Sequence, residues 1–309
     1  MIMYKMKKGY KMLMQAMLCV LLLCLALPSC TSKEAGQNGW ELSLQSYTFH
    51  RFTLLEAFDK AQELGITNME VFPGHKIGGK WGDQTFGYDL DDASRKELRA
   101  LAAEKGVRIV GCGVFVSDKA EEWEKMFRLA KDMDMEYISC EPPVEVWDIV
   151  EQLAEKNNIR IAVHNHPQPS TYWNPQLLLE QIGQRSKLLG SCADVGHWNR
   201  DGLDHLECLS TLEGRIHSLH FKDIIGPQPD GQERHDIIWG QGVLDVKAML
   251  KELKRQNFSG YFTIEYEYNW ENSVPDIRQC IDYFNQACAE MGELGFPASE
   301  GVNYKPKIK

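Results

Sequence analysis

The sequence predicts an α/β chain built as a single (β/α)8 barrel, and three observations lead there. Short apolar runs alternate with helical patterns from residue 41 onward, the signature of repeated βα units. Four runs in the C-terminal half end in residues that ligate metals or move protons. Ile159–Val163 precedes His164 and His166, and Leu188–Ala193 precedes Asp194 and His197. Ile216–Leu219 precedes His220, Lys222 and Asp223, and Tyr261–Ile264 precedes Glu265 and Glu267. Third, His164, Asp194, His220 and Glu265 follow one another at spacings of 30, 26 and 45 positions, close to one strand-plus-helix unit each. In a parallel barrel all strand ends open on one face, so residues this far apart converge.

The elements follow in order. Glu41–Thr48 is the first expected strand, and Leu54, Leu55, Phe58, Ala61 and Leu64 then mark one face of a helix stopped by Gly65. Thr67–Phe72 is the second strand, and a long loop rich in glycine and aromatics leads to a helix start at Asp91 and Asp92. Val107–Val116 is the third strand, with Ser117 and Asp118 expected to cap the next helix. The fourth strand, Tyr137–Cys140, ends at Glu141, and one helix from Val144 to Lys156 is expected before the fifth. The runs at 159–163, 188–193, 216–219 and 261–264 complete the barrel, with Gly190 and Gly260 expected in tight turns near strand starts. No shift in composition marks a second domain. The expected domain spans 41–295, followed by a tail at 296–309.

The first 29 residues read as an export signal. Lys5, Lys7, Lys8 and Lys11 precede an apolar stretch from Met12 to Leu27, too short to span a membrane, and Leu27-Pro28-Ser29-Cys30 follows. This arrangement resembles a bacterial lipoprotein signal, which implies a lipid on Cys30, a tether at 30–40 and a membrane-anchored place on the periplasmic side or cell surface. Removing residues 1–29 deletes four lysines and no acids, moving the formal charge from −10 to −14. No basic cluster remains to track a phosphate backbone, which argues against nucleic acid as a partner. The six cysteines beyond Cys30 show no C-x-x-C spacing and are expected as buried free thiols.

Asp194-x-x-His197, His220-x-Lys222-Asp223, Gly240-Gln241-Gly242 and Ile264-Glu265 resemble the ketose epimerase branch of the xylose isomerase-like barrels. That resemblance implies a divalent metal (Mn, Co, Zn, Fe or Mg) held by Asp194, His220, Glu265 and a fourth residue. The family usually has glutamate at the fourth position, where this chain has His164. The family's two glutamates also exchange the substrate proton, so His164 removes one carboxylate of that pair. Glu141 can replace it, toward the metal or toward the substrate. His166 is expected to contact a hydroxyl or carbonyl, His197 to join the catalytic group, and Lys222 either to stabilise an oxyanion or to pair with Asp223. Glu267 is expected to point inward and His217 to be structural, one layer deeper. His50, His75, Trp81, Tyr88, Trp173, Trp198 and Trp239 fall in or near the loops at the same end, where packing is the expected role of any one of them.

The implied activity is sugar isomerisation or epimerisation through an enediolate, on a sugar or keto-sugar. Elimination or hydration of keto-sugars or keto-glycosides shares the same first half-reaction. A carbohydrate-binding lipoprotein with no catalysis is the reading from a different class.

Overall fold

The computed structural model describes residues 39–292, apart from residues 230 and 233. The export signal, Cys30, the tether up to residue 38 and the tail lie outside the described residues. The strands are β1 (Trp40–Gln45), β2 (Asn68–Val71), β3 (Arg108–Phe115), β4 (Tyr137–Cys140), β5 (Arg160–His164), β6 (Leu189–Asp194), β7 (Ile216–Phe221), β8 (Asp223–Ile224), β9 (Asp236–Ile237) and β10 (Gly260–Ile264). All but β8 and β9 close into a parallel barrel in the order β1-β10-β7-β6-β5-β4-β3-β2, and β8 and β9 pair antiparallel as a small ribbon. The eightfold α/β barrel expected from the sequence is therefore the observed fold.

The helix Leu54–Leu64 shows why the outer layer forms. Thr53 accepts from the backbone N–H of Glu56, whose carboxylate answers the backbone N–H of Thr53, so two orphan donors are satisfied at its start. Leu54, Ala57, Phe58, Ala61 and Leu64 are buried along one face, and each fully buried Leu or Phe side chain contributes about 1.5–3 kcal/mol. Gly65 ends the helix at φ 73°, a conformation open to glycine at no steric cost. The strands are buried on both faces, and a separate cluster of strand residues alone (Val110, Tyr137, Ala162, Cys192 and Tyr261) fills the barrel interior. Cys112, Cys140, Cys192, Cys208, Cys280 and Cys288 are buried free thiols.

Four local expectations are corrected. The first strand stops at Gln45, because the Gln45 side chain accepts from the Tyr47 N–H and turns Ser46–Phe49 into a 3-10 helix. Ser117 and Asp118 do not cap the next helix by side chain. Lys119 is its N-cap, while the Ser117 hydroxyl accepts from the Lys119 N–H and donates to Glu122. Val144–Val146 is a 3-10 turn, and the α-helix is Trp147–Asn157. Gly190 lies inside β6 and is required by close approach, since a Cβ there would sit 2.2 Å from the Arg215 carbonyl oxygen.

His217 is structural, as expected: its ring lies between the carbonyl oxygens of Ile161 and Lys187, both at 3.1 Å. His75 is likewise enclosed, between the Ser46 hydroxyl and the Phe52 carbonyl. Burial pushes both imidazoles down to about 4. Unfolding returns them to the ordinary value near 6.5, so the unfolded chain binds more protons between those limits. Stability is then fully present above pH 6.5 and declines as pH falls toward 4, by roughly 1–2 kcal/mol per histidine at pH 5. Urea midpoints at pH 7 and pH 5 are expected to differ accordingly, with the difference reduced in His217→Gln. A variant with the unchanged pH dependence would remove His217 from this account.

Candidate metal centre

The barrel register assembles the centre. Asp194, the last residue of β6, is the direct cross-strand partner of His220 on β7, and His220 in turn faces Thr263 on β10, two residues before Glu265. His164 ends the neighbouring β5. One ligand atom from each of His164, Asp194, His220 and Glu265 lies within 4.8 Å of all the others, and all four residues are buried.

Each side chain is held from behind. His164 Nδ1 lies 3.2 Å from Glu141 Oε1, which leaves His164 Nε2 aimed toward Asp194 Oδ2 at 3.6 Å. His220 Nε2 lies 3.1 Å from Glu70 Oε1, and its Nδ1 faces Glu265 Oε2 at 3.1 Å. Glu70 is fixed by Gln45 Nε2 and by the Tyr137 hydroxyl, each at 2.7 Å. A carboxylate behind the ring N–H is the arrangement that sets the tautomer and orientation of a metal-ligating histidine. Asp194 uses its two oxygens differently. Oδ1 accepts from the His197 N–H at 2.7 Å and caps the helix Val195–Arg200, while Oδ2 faces the cluster. Being a helix cap and facing the centre are therefore compatible at this residue.

The donor set fits a divalent ion. His164 Nε2, His220 Nδ1 and Asp194 Oδ2 are buried without a well-directed hydrogen bond, although the Lys222 ammonium lies 2.9 Å from the Asp194 oxygen. Orphaned buried lone pairs are costly unless something receives them, and two imidazoles with two carboxylates suit Mn, Co, Zn or Fe. Burial opposes ionisation of Asp194 and Glu265, but the opposing charges outweigh it and hold both carboxyls well below the usual range. His197, Lys222 and His164 act on Asp194; His220 and Lys222 act on Glu265.

Lys222 is fully buried and does not pair with Asp223. Its ammonium contacts Asp194 and Glu265 at 2.9 Å and Glu267 at 3.1 Å. The stem of Lys222 passes so close to Gly196 that a Cβ there would sit 2.6 Å away. Asp223 instead gathers the backbone N–H groups of Ile224, Gly240, Gly242 and Leu244, which accounts for the Gly240-Gln241-Gly242 segment. A Cβ on Gly242 would lie 2.1 Å from Asp223 Oδ1. Glu267 points inward, as expected, toward Lys222.

Glu141 is more heavily engaged than the sequence implied. Its Oε1 meets the rings of His164 and His166 and the His166 backbone N–H, and its Oε2 accepts from Ser170 at 2.8 Å. Burial works against its charge, yet the two histidines hold the carboxyl well below its ordinary value. His166 stands half-exposed beside His164 and His197 with Nδ1 on Glu141, which leaves Nε2 as the nitrogen available to a substrate. Among the loop aromatics, His75, Trp198 and Trp239 are buried packing, whereas His50 sits at the rim with Tyr47 and Trp270.

Glu70, Arg200 and Asp236 escaped the sequence reading. Glu70 carried a usable signal, a carboxylate inside the apolar run Met69-Glu70-Val71. Arg200 and Asp236 carried none, because their pairing at 2.8 Å joins a helix to a ribbon 36 residues on.

Metal content after loading with Mn, Co or Zn is expected to be about one ion per chain, the capacity of a single four-ligand site. His220→Ala is expected to lose it, and Glu70→Gln to weaken affinity by about 10- to 100-fold. Unchanged metal content in His220→Ala would separate the cluster from metal binding.

Comparison with known proteins accords with the fold. The family model for the xylose isomerase-like TIM barrel matches residues 58–287. An uncharacterised protein from Parabacteroides distasonis superposes with a TM-score of 0.66 at 34% identity, covering 80% of this chain and 99% of its own. A sugar phosphate isomerase/epimerase from the same organism gives a TM-score of 0.60 at 16% identity, covering 84% of this chain and 98% of its own. The IolI protein, solved with a bound zinc atom, gives 0.65 at 17% identity over 81% of this chain and 98% of its own. No curated protein matches the chain. With both the matched model and a one-third-identical relative covering most of its length, this chain belongs to the xylose isomerase-like TIM barrel family.

Proposed function

We propose that this protein is a metal-dependent sugar isomerase or epimerase that removes a proton beside a sugar carbonyl and returns it through an enediolate. The observation that carries the reading is the convergence of His164, Asp194, His220 and Glu265 beside a half-exposed His166. A divalent ion bound by those four would supply Lewis acidity toward two adjacent sugar oxygens.

The remaining work belongs to this chain's own groups. His166 is oriented by Glu141 as an imidazole is oriented by a carboxylate in acid–base dyads, which makes Nε2 the base for the substrate proton. Glu141, with both oxygens engaged, positions the two histidines and does not take the proton. Glu265 presents Oε1 to substrate, because His220 and Lys222 both contact Oε2. Lys222 offsets the charge of the buried carboxylates Asp194 and Glu265. One well-oriented base suffices to move a proton between adjacent carbons, whereas epimerisation needs Glu265 to serve the opposite face.

His164 in the usual glutamate position favours a second reading, a lyase or hydratase on keto-sugars or keto-glycosides. There, one base takes the α-proton and an imidazolium protonates the departing oxygen. We also propose, from the sequence of the leader alone, that the chain is exported and anchored by lipid on Cys30. Cys30→Ser is expected to abolish incorporation of labelled fatty acid, and retained labelling would refute the anchor.

Ketoses, aldoses and keto-glycosides incubated with the metal-loaded protein in D2O are expected to exchange or relocate the α-hydrogen, read by NMR. His166→Asn is expected to slow turnover by about 10²- to 10⁴-fold with metal content retained. Exchange accompanied by loss of an alcohol and appearance of an enone would select the lyase. No exchange from any of these substrates would leave the non-catalytic binding role in front.

A further inference from the structure

A second histidine cluster overlaps the first. Ring nitrogens of His164, His166 and His197 also lie within 4.8 Å of one another, so three imidazoles are close enough to hold an ion of their own. The neighbour of His197 argues against that use. Arg200 Nη1 lies 3.2 Å from His197 Nδ1, and a guanidinium has donors only. Nδ1 must therefore be the bare, accepting nitrogen, and the single ring proton of the imidazole sits on Nε2. That nitrogen faces inward, 3.6 Å from Asp194 Oδ2. A protonated ring nitrogen cannot donate a lone pair to a metal.

Arg200 is not free to turn away. Its Nε donates to the Arg234 carbonyl at 3.0 Å and its Nη2 to Asp236 Oδ1 at 2.8 Å. Asp236 is fully buried and is itself fixed by the Glu267 N–H on Oδ2 at 2.8 Å. The guanidinium is thus anchored on two sides before it meets His197. Among the described residues no similar donor stands behind His164 or His166, whose Nδ1 atoms face the acceptor Glu141.

We propose that Arg200 is a positioning residue that fixes the tautomer of His197, so that its Nε2–H points into the centre as a donor while its lone pair on Nδ1 stays with the guanidinium. That the acceptor is a substrate oxygen rests on the sugar-processing reading above; the tautomer does not. His197 then discriminates for an acceptor, a carbonyl or ionising hydroxyl, at the position it faces. In Arg200→Met the constraint is gone and the proton can move to Nδ1.

The test reads the protein directly. Long-range 1H–15N correlation spectra of the 15N-labelled wild type are expected to show His197 with a bare Nδ1 and a protonated Nε2. Arg200→Met, which removes the donor, is expected to show His197 with protonated Nδ1. Arg200→Lys, which keeps a donor, should keep the wild-type tautomer. A protonated Nδ1 in the wild type overturns the proposal outright, as does an unaltered tautomer in a folded Arg200→Met. Should that variant fail to fold, the wild-type spectrum decides alone. Failure of the sugar reading would appear separately, as the wild-type tautomer in a protein that exchanges no sugar proton.

Discussion

Four side chains from four strands can share one centre only because the parallel sheet closes on itself. Closure fixes the register of every strand against its neighbours, and register decides which residue at a strand end points inward. Asp194 stands opposite His220 because β6 and β7 pair there, with an irregularity between Ser191 and Cys192 that absorbs the mismatch. A slip of one residue on either strand would turn its ligand out of the barrel. The helices and the aromatic packing behind them hold that register in place.

The closure also creates a cost that the site must answer. Asp194, Glu265, Glu70 and Lys222 are charged groups taken out of water, and unpaired they would destabilise the fold by several kcal/mol each. They are arranged so that nearly every oxygen has a donor. Lys222 bridges three carboxylates, and Glu70 is met by Gln45, Tyr137 and His220. Within the cluster, His164 Nε2 and His220 Nδ1 lack a well-directed hydrogen bond and Asp194 Oδ2 meets the Lys222 ammonium, and all three atoms face the shared centre. A stabilised network with its vacant lone pairs gathered at one point describes a binding site better than a structural ion-pair cluster.

A histidine at position 164 has consequences beyond its own place in the cluster. An imidazole has a second nitrogen, which needs an acceptor, and Glu141 provides it. The same carboxylate also contacts His166, so one acid ties two histidines together. Arg200 acts in the opposite sense on the third histidine, by supplying a donor where the others meet an acceptor. The three rings differ in role because their outer partners differ in hydrogen-bonding type.

The sequence by itself determined the barrel and the four residues gathered at one end of it. Hydrophobic periodicity is local, and one strand-plus-helix unit per ligand leaves a parallel barrel as the arrangement that unites them. It determined that Glu267 faces inward and that His217 is structural, since alternation along a strand is also local. Only the tertiary structure decided who stands behind each ligand. Glu70 reaches His220 across 150 positions of chain, Lys222 chooses Glu265 and Asp194 over its neighbour Asp223, and Arg200 sets the proton on His197. Such pairings depend on distances between strands and loops that share no periodicity, and buried polar groups take the partner nearest in space rather than in sequence.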